Sequence, residues 1–172
     1  YHVVHFDTNA FAKKQGVSTQ MAARQLRYHW FEEVRKQHRY HYIAVAHHQN
    51  DAIETVLLNL VRGTGISGMH GILPKRGHLI RPLLFLSRQQ IDELVEANKL
   101  AYVEDSSNQS SKYARNKLRL KVIPHLRELN PKLEETFAQN ITRFTQVEAL
   151  LQREVEKHRK KIQVEGNHLY LD

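Results

Sequence analysis

The sequence predicts an α/β fold: a parallel sheet with flanking helices, truncated on its N-terminal side and followed by a helical connector. Three observations carry this expectation. Strand-like and helix-like stretches alternate along the chain, the rhythm of βαβ units. Residues 42–46, YIAVA, form a continuous apolar run, as in a strand buried on both faces of a parallel sheet. Directly after it, Ile53, Val56, Leu57, Leu60 and Val61 recur at i, i+3, i+4, i+7 and i+8, one apolar face of a helix.

The elements follow in order. Tyr1–Phe6, YHVVHF, is rich in β-branched and aromatic residues and predicts a short strand. It starts without Met and inside that run, which reads as a piece of a longer chain. Residues 7–16 are polar and end in Gly16, which predicts a loop. Ser18 is an N-cap for a helix to about Gln37, with Ala22, Leu26 and Trp30 on one face. After the 42–46 strand, Asp51 starts the next helix, which ends in the glycine-rich turn Gly63–Gly71. Leu79–Ile80 is a brief strand stopped by Arg81-Pro82. Ser87 and Gln90 form an S-x-x-Q capping box ahead of Ile91, Leu94 and Val95. Residues 105–111 are a polar loop. A basic helical segment then runs from Lys112 to about Leu129, with Pro124 expected to kink or restart it. Beyond Asn130-Pro131, the residues Leu133, Phe137, Ile141, Phe144, Leu151 and Val155 trace one face of a helix of about seven turns. A hairpin around Gly166 closes the chain.

Composition narrows the function. The 172 residues contain no cysteine, which excludes disulfides, thiolate metal sites and cysteine nucleophiles. No stretch is long and apolar enough for a membrane span, and no signal peptide is visible, so a cytoplasmic protein without a membrane partner is expected. The net charge is +8, and the surplus is uneven: residues 132–172 balance at seven Lys/Arg and seven Asp/Glu. The first three quarters therefore carry the basic excess, which suits a polyanionic partner.

Ligands of parallel α/β sheets bind beyond the C-terminal strand ends. There stand His47, His48, Asn50, Asp51 and Glu54. Asp51 and Glu54, three apart, share a helix face and can meet Mg²⁺ or an ammonium group. The same D-x-x-E spacing also serves a helix N-terminus, and for the tetrapeptide alone capping is the better reading. The His-His pair favours a site, because capping gives no reason for it. A zinc site from His38, His41, His47 and His48 is disfavoured, since His41 and His47 stand at opposite ends of the strand. Arg62-Gly63-Thr64-Gly65 can approach a phosphate or simply end the helix. The segment 112–127 holds Lys112, Arg115, Lys117, Arg119, Lys121 and Arg127 with no acidic residue, either a phosphate-contacting face or a solvated one.

HHQNDAIETVLLNLVRGTGISGMHGI, IRPLL, VEDSSN and YARNKLRLKVIPHL, with AARQLRYHWF before them, together resemble the tRNA(Ile)-lysidine synthetase family, an ATP-pyrophosphatase type of enzyme. The resemblance covers roughly residues 18–131 and implies an adenine-nucleotide-hydrolase-like fold. It divides the chain into a partial nucleotide-binding and catalytic domain, 1–130, and a connector with a terminal hairpin, 131–172. It implies ATP-dependent attachment of free L-lysine to the wobble cytidine of tRNA(Ile) with a CAU anticodon, with Mg²⁺ assisting. It implies catalytic roles for Asp51, Glu54, His47 and Arg115, with lysine or substrate contacts from Glu54, Arg115, Asn116 and Arg62. ATP contacts fall to His47, His48, Arg24 and Arg27, Mg²⁺ to Asp51, and RNA contacts to Lys112, Lys117, Arg119 and Lys121. The family's S-G-G-x-D-S loop does not occur in these residues, so the piece alone is expected to be inactive. Asn50 and Ala52 stand where many members have Asp and Gln, which lowers the acidic count and leaves Asp51 as the metal-facing carboxylate. A tRNA thiolase is disfavoured by the absence of cysteine. A basic RNA-binding module explains the charge and leaves His47, Asp51 and Glu54 without purpose.

Overall fold

A computed structural model describes residues 1–103, 114–160, 162–165 and 168–171. The chain folds as two compact units, one of residues 1–45 and 75–80, the other of residues 46–74 and 81–172.

In the first unit, Tyr1–Phe6 is extended but forms no strand. Tyr1 and Val3 are fully to two-thirds exposed, and no neighbour among the described residues offers a ladder; β-forming composition without a hydrogen-bonding edge does not make a strand. Residues 8–15, expected as loop, are instead helix α1, Thr8–Gln15. Asp7 caps it by accepting from the Ala10 N–H, and Gly16 ends it in the left-handed conformation. The polar composition concealed a helix whose two ends are both signalled. Helix α2, Thr19–Gln37, starts as expected from Ser18, whose hydroxyl accepts from the Met21 N–H, and buries Ala22.

The sheet of this unit is small and mixed rather than parallel. Strand β1, Ile43–Ala44, runs parallel to β3, Leu79–Ile80, while β2, Lys75–Arg76, pairs antiparallel with β3 across the Gly77 turn. The 42–46 run therefore contributes two ladder residues, not five, and Ala44 is exposed. Pro82 explains the shortness: it has no N–H to extend the ladder beyond β3, and the last bond is Val45 N–H to the Ile80 carbonyl.

The second unit is built on α3, Gln49–Arg62, α5, Arg88–Ala97, and α8, Leu133–Arg159. Its core joins Ile53 of α3 to Leu133 of α8 and Ile123, with Leu57, Leu126 and Phe137 packed around them. A short helix α4, Ile66–Met69, occupies the glycine-rich turn. Gly71 follows at φ 64°, where a Cβ would meet Val56 Cγ2 at 3.0 Å and the Ala52 carbonyl at 3.1 Å, so this glycine lets the chain lie directly on α3. His70 then pairs with Glu148 of α8 at 3.2 Å. The capping box of α5 forms as read, with the Ser87 N–H donating to Gln90 and the Gln90 N–H to the Ser87 hydroxyl.

The basic segment is one helical run with a widened middle: α6, Ala114–Lys117, a π-helical turn, Leu118–Val122, and α7, Ile123–Leu129. Pro124 neither breaks nor restarts it. Proline lacks an N–H and crowds the carbonyl four residues earlier, and the π turn just ahead absorbs both effects. The Ile123 N–H bonds to the Leu118 carbonyl, five residues back, and Leu118 and Ile123 are both buried. The closing hairpin, β4 Ile162–Glu165 with β5 His168–Leu171, is antiparallel as expected. No helix among the described residues is long and apolar enough to cross a membrane.

Candidate active site

The N-terminus of α3 organises the site, and it begins earlier than the sequence suggested. His48, not Asp51, is the N-cap; Asp51 is the third helical residue and accepts from the His48 N–H at 3.0 Å. One of its carboxylate oxygens thus satisfies an orphan N–H of the helix start, which the capping reading anticipated with the register shifted by three. His48 Nε2 also lies 3.5 Å from the same oxygen.

Glu54 takes no part in capping. One turn further along α3 it is turned inward, 1% exposed. A carboxylate that deep must be paired, and two arginines of the basic segment reach it. Arg119 grips both oxygens, Nε to Oε1 at 2.6 Å and Nη2 to Oε2 at 3.1 Å, and Nη2 also lies 3.5 Å from Asp51 Oδ1. Arg115 places Nε 3.5 Å from Glu54 Oε2 and donates from Nη2 to the Thr55 hydroxyl at 2.8 Å. The fork of Arg119 matches a carboxylate as lysine would not. Its hydrogen bond to Glu54 raises the Arg119 pKa further, ahead of the opposing effect of burial.

Asn50 forms a second anchor. It is 7% exposed, accepts from the Arg88 N–H at 2.8 Å and donates from Nδ2 to Glu134 Oε1 at 3.1 Å. Glu134 also receives the Arg127 guanidinium, with Nε at 2.9 Å. One side chain therefore ties the starts of α3, α5 and α8. An amide suits this position: facing the Glu134 carboxylate, it supplies an N–H where an aspartate would set like charges together. We expect Asn50→Leu to lower the unfolding free energy by about 1–3 kcal/mol, since it leaves the part-buried Arg88 N–H and part of the Glu134 carboxylate unpaired; urea denaturation with an unchanged m-value would show it.

The two anchors border a cleft of about 1050 Å³, lined by Glu54, Arg119 and His48 on one side and by Arg88, Lys99 and Tyr102 among others. The expected site residues distribute unevenly around it. Asp51, Glu54, Arg115 and Arg119 are brought together, and His48 lines the same cleft. His47 and Asn116 are half-buried residues of this unit. Arg62 is exposed at the last turn of α3, eight residues and about 12 Å along the helix from Glu54. Lys117 and Lys121 are exposed, as RNA contacts need, whereas Arg119, expected to join them, is turned onto Glu54. Lys112 lies outside the described residues. Arg24 and Arg27 stand exposed on α2 in the first unit, with the Arg24 guanidinium 4.7 Å from the Tyr28 ring centre. Among the described residues no three metal-ligating side chains cluster. Sequence reasoning missed Arg88 and Glu134 and read Arg127 only as one cation of the basic run; the Ser87–Gln90 capping box, which fixes where the Arg88 N–H points, is the one local signal among these.

A buried carboxylate gripped by two arginines beside a cleft is an arrangement in which charged groups converge for a polar ligand. Residues 2–126 match the PP-loop domain family, and this fixes the fold class as adenine-nucleotide-hydrolase-like α/β. The curated relatives are narrower. The chain is 43% identical over 169 residues to a tRNA(Ile)-lysidine synthase of Parabacteroides distasonis, covering 98% of this chain and 39% of that protein. It is 38% identical over 161 residues to the tRNA(Ile)-lysidine synthase of Bacteroides thetaiotaomicron, 94% of this chain and 38% of the relative. Over 135 residues it is 46% identical to that of Porphyromonas gingivalis, 78% of this chain and 30% of the relative. The chain belongs to the PP-loop domain family, and the relatives it resembles are tRNA(Ile)-lysidine synthases. It spans about two fifths of the length of the first two of these relatives.

Proposed function

We propose that the protein of which these residues form part attaches lysine to the wobble cytidine of a tRNA(Ile) with a CAU anticodon, at the expense of ATP. The observation that supports this best is the buried Glu54, held by Arg119 and Arg115 beside Asp51 at the mouth of a cleft, in a chain of this family.

The cytosine C2 oxygen attacks the α-phosphorus of ATP and pyrophosphate leaves. An amine of lysine then attacks C2, AMP leaves with the C–O bonding pair, and the amine gives up a proton. Charge grows on phosphate oxygens in the first step, and fixed cations stabilise it. A guanidinium has five N–H donors; among the described residues Glu54 and Asp51 take those of Nε and Nη2 on Arg119, and the Nη1 pair is the one offered to phosphate. In this reading Glu54 is a positioning residue: it fixes the two arginines. Asp51, less buried and with one oxygen only 3.5 Å from Arg119, is the carboxylate suited to the lysine ammonium or to the departing proton. His47 and His48 stand at the same helix start for the phosphates, Asn116 follows Arg115 towards the substrate, and Arg24, Arg27 and Arg62 are further candidate contacts. A Mg²⁺ ion that comes with ATP usually takes one or two protein carboxylates plus phosphate oxygens. Asp51 offers one, already near two donors, so the fit is partial. We place the reaction in the cytoplasm, with tRNA.

The test is equilibrium binding of labelled tRNA and of lysine to the intact protein. Lys117→Gln with Lys121→Gln should weaken tRNA binding and flatten its dependence on salt by about one to two in log–log slope, with lysine affinity unchanged. Asp51→Asn should do the reverse, weakening lysine and sparing tRNA. A protein that binds neither tRNA nor lysine would overturn the reading.

A further inference from the structure

The basic excess is not where the Glu54 cleft is. The first unit holds nine Lys/Arg against three Asp/Glu, so +6 of the net +8 sits on its 51 residues. Within it a second cleft, of about 670 Å³, shares no lining residue with the first. The end of α2, the connector to β1 and the β2–β3 turn form it, and Lys36, Arg39, Tyr40, Tyr42, Lys75 and His78 line it without one carboxylate.

Its construction is specific. Glu32 is consumed by Arg35, in bonds of 2.7 and 2.8 Å, and Arg35 in turn donates to the Tyr40 carbonyl at 3.1 Å. The Glu32 carboxylate thus serves to fix the connector and reaches Lys36 only at 3.9 Å. Arg39 has φ 55°, a conformation that favours glycine or asparagine, so an arginine is kept there against a backbone cost. The rings are aligned as well. His2, His38 and Tyr40 form a ladder, His2 tilted at 39° to His38 with centroids 4.4 Å apart and His38 stacked on Tyr40 at 20° and 5.6 Å. Tyr40 is half exposed at its end. Tyr42, equally exposed, carries Lys75 Nζ 4.8 Å from its ring centre.

We propose that this cleft is a second RNA contact, holding the phosphodiester backbone on Lys36, Arg39 and Lys75 while an unpaired base stacks on Tyr40. Cations that follow a backbone, interleaved with aromatic faces, are how proteins hold single-stranded nucleic acid irrespective of sequence. The proposal rests on the tRNA reading above and adds a site to it, on the first unit, whose lining residues are not those of the Glu54 cleft.

Lys36→Gln with Lys75→Gln, and separately Tyr40→Leu, decide it in the intact protein, with thermal unfolding as the folding control. The double lysine variant should weaken tRNA binding about tenfold near 0.1 M salt and reduce the log–log salt slope by about 1.4–1.8. Tyr40→Leu should weaken it about five- to 150-fold with the slope unchanged. ATP and lysine affinities should stay at wild-type values in both. Wild-type tRNA affinity and slope in both variants would overturn the second contact while leaving the lysidine reading intact. An equal loss of ATP affinity would also overturn it, as the sign of a general anion site. If the wild-type protein itself fails to bind tRNA, the functional reading falls, and this one with it.

Discussion

Arg119→Ala is expected to lower the unfolding free energy by about 3 kcal/mol, more than the loss of its partner costs. The asymmetry comes from burial. Glu54 is 1% exposed, while the Arg119 side chain is 36% exposed. Without Arg119, the carboxylate stays in the interior with only Arg115, at 3.5 Å, to answer it. Breaking a buried pair in that way typically costs about 3–5 kcal/mol, and the remaining arginine places this case at the lower end. Without Glu54, Arg119 can swing its long side chain to water, so Glu54→Ala should cost nearer 2 kcal/mol. Arg119→Lys keeps the charge but not the two-pronged geometry and should fall between. Urea denaturation of the three variants checks the order, and equal losses for Arg119→Ala and Glu54→Ala would contradict the burial argument.

On the proposed function, Glu54→Gln is expected to reduce lysidine formation by at least about 100-fold in the intact protein while lowering stability by only about 1–2 kcal/mol. Glutamine keeps the volume and one acceptor, so α3 and the cleft survive. It cannot accept both arms of Arg119 as a charged partner, and displacing a cation from its working position by an ångström has effects of that size on rate. A purely structural role would lower the amount of folded protein and leave the turnover of the folded fraction unchanged. The decisive measurement is therefore turnover per folded molecule, with tRNA affinity as the control that should not move.

Periodicity and caps made much of this fold legible. Ala22, Leu26 and Trp30 announced α2; Ile53, Val56 and Leu57 announced α3; Ser87 and Gln90 fixed the start of α5. These signals are local, and the structure keeps them. The sheet was harder to read, because a strand exists only by virtue of its neighbour. Tyr1–Phe6 has the composition and no ladder among the described residues, while Lys75–Arg76 has little strand character and gains one by folding back across Gly77 onto β3. The site divides in the same way. Asp51 and Glu54 stood out as a pair, since both lie on one helix. Their separate fates, one capping and one buried, depend on Arg119, 65 residues beyond Glu54, and no local spacing shows that an arginine in a basic run turns inward. Asn50 stands in the sequence at the strand tip and as a departure from a pattern, but its role as an anchor depends on Glu134, 84 residues away.

The widened turn at Leu118–Val122 gives this region a strict ruler. A π turn holds one residue more than the α turn it replaces. Upstream of it stands the guanidinium of Arg115; downstream stand Ile123 in the core and Arg127 on Glu134. Removing a single residue within the turn would restore regular winding and rotate everything after it by about 100° against everything before. The core contact and the ion pair would then no longer be satisfied together. In evolutionary terms, substitutions here are negotiable one side chain at a time, whereas a change of length is a change of phase that both ends must accept at once.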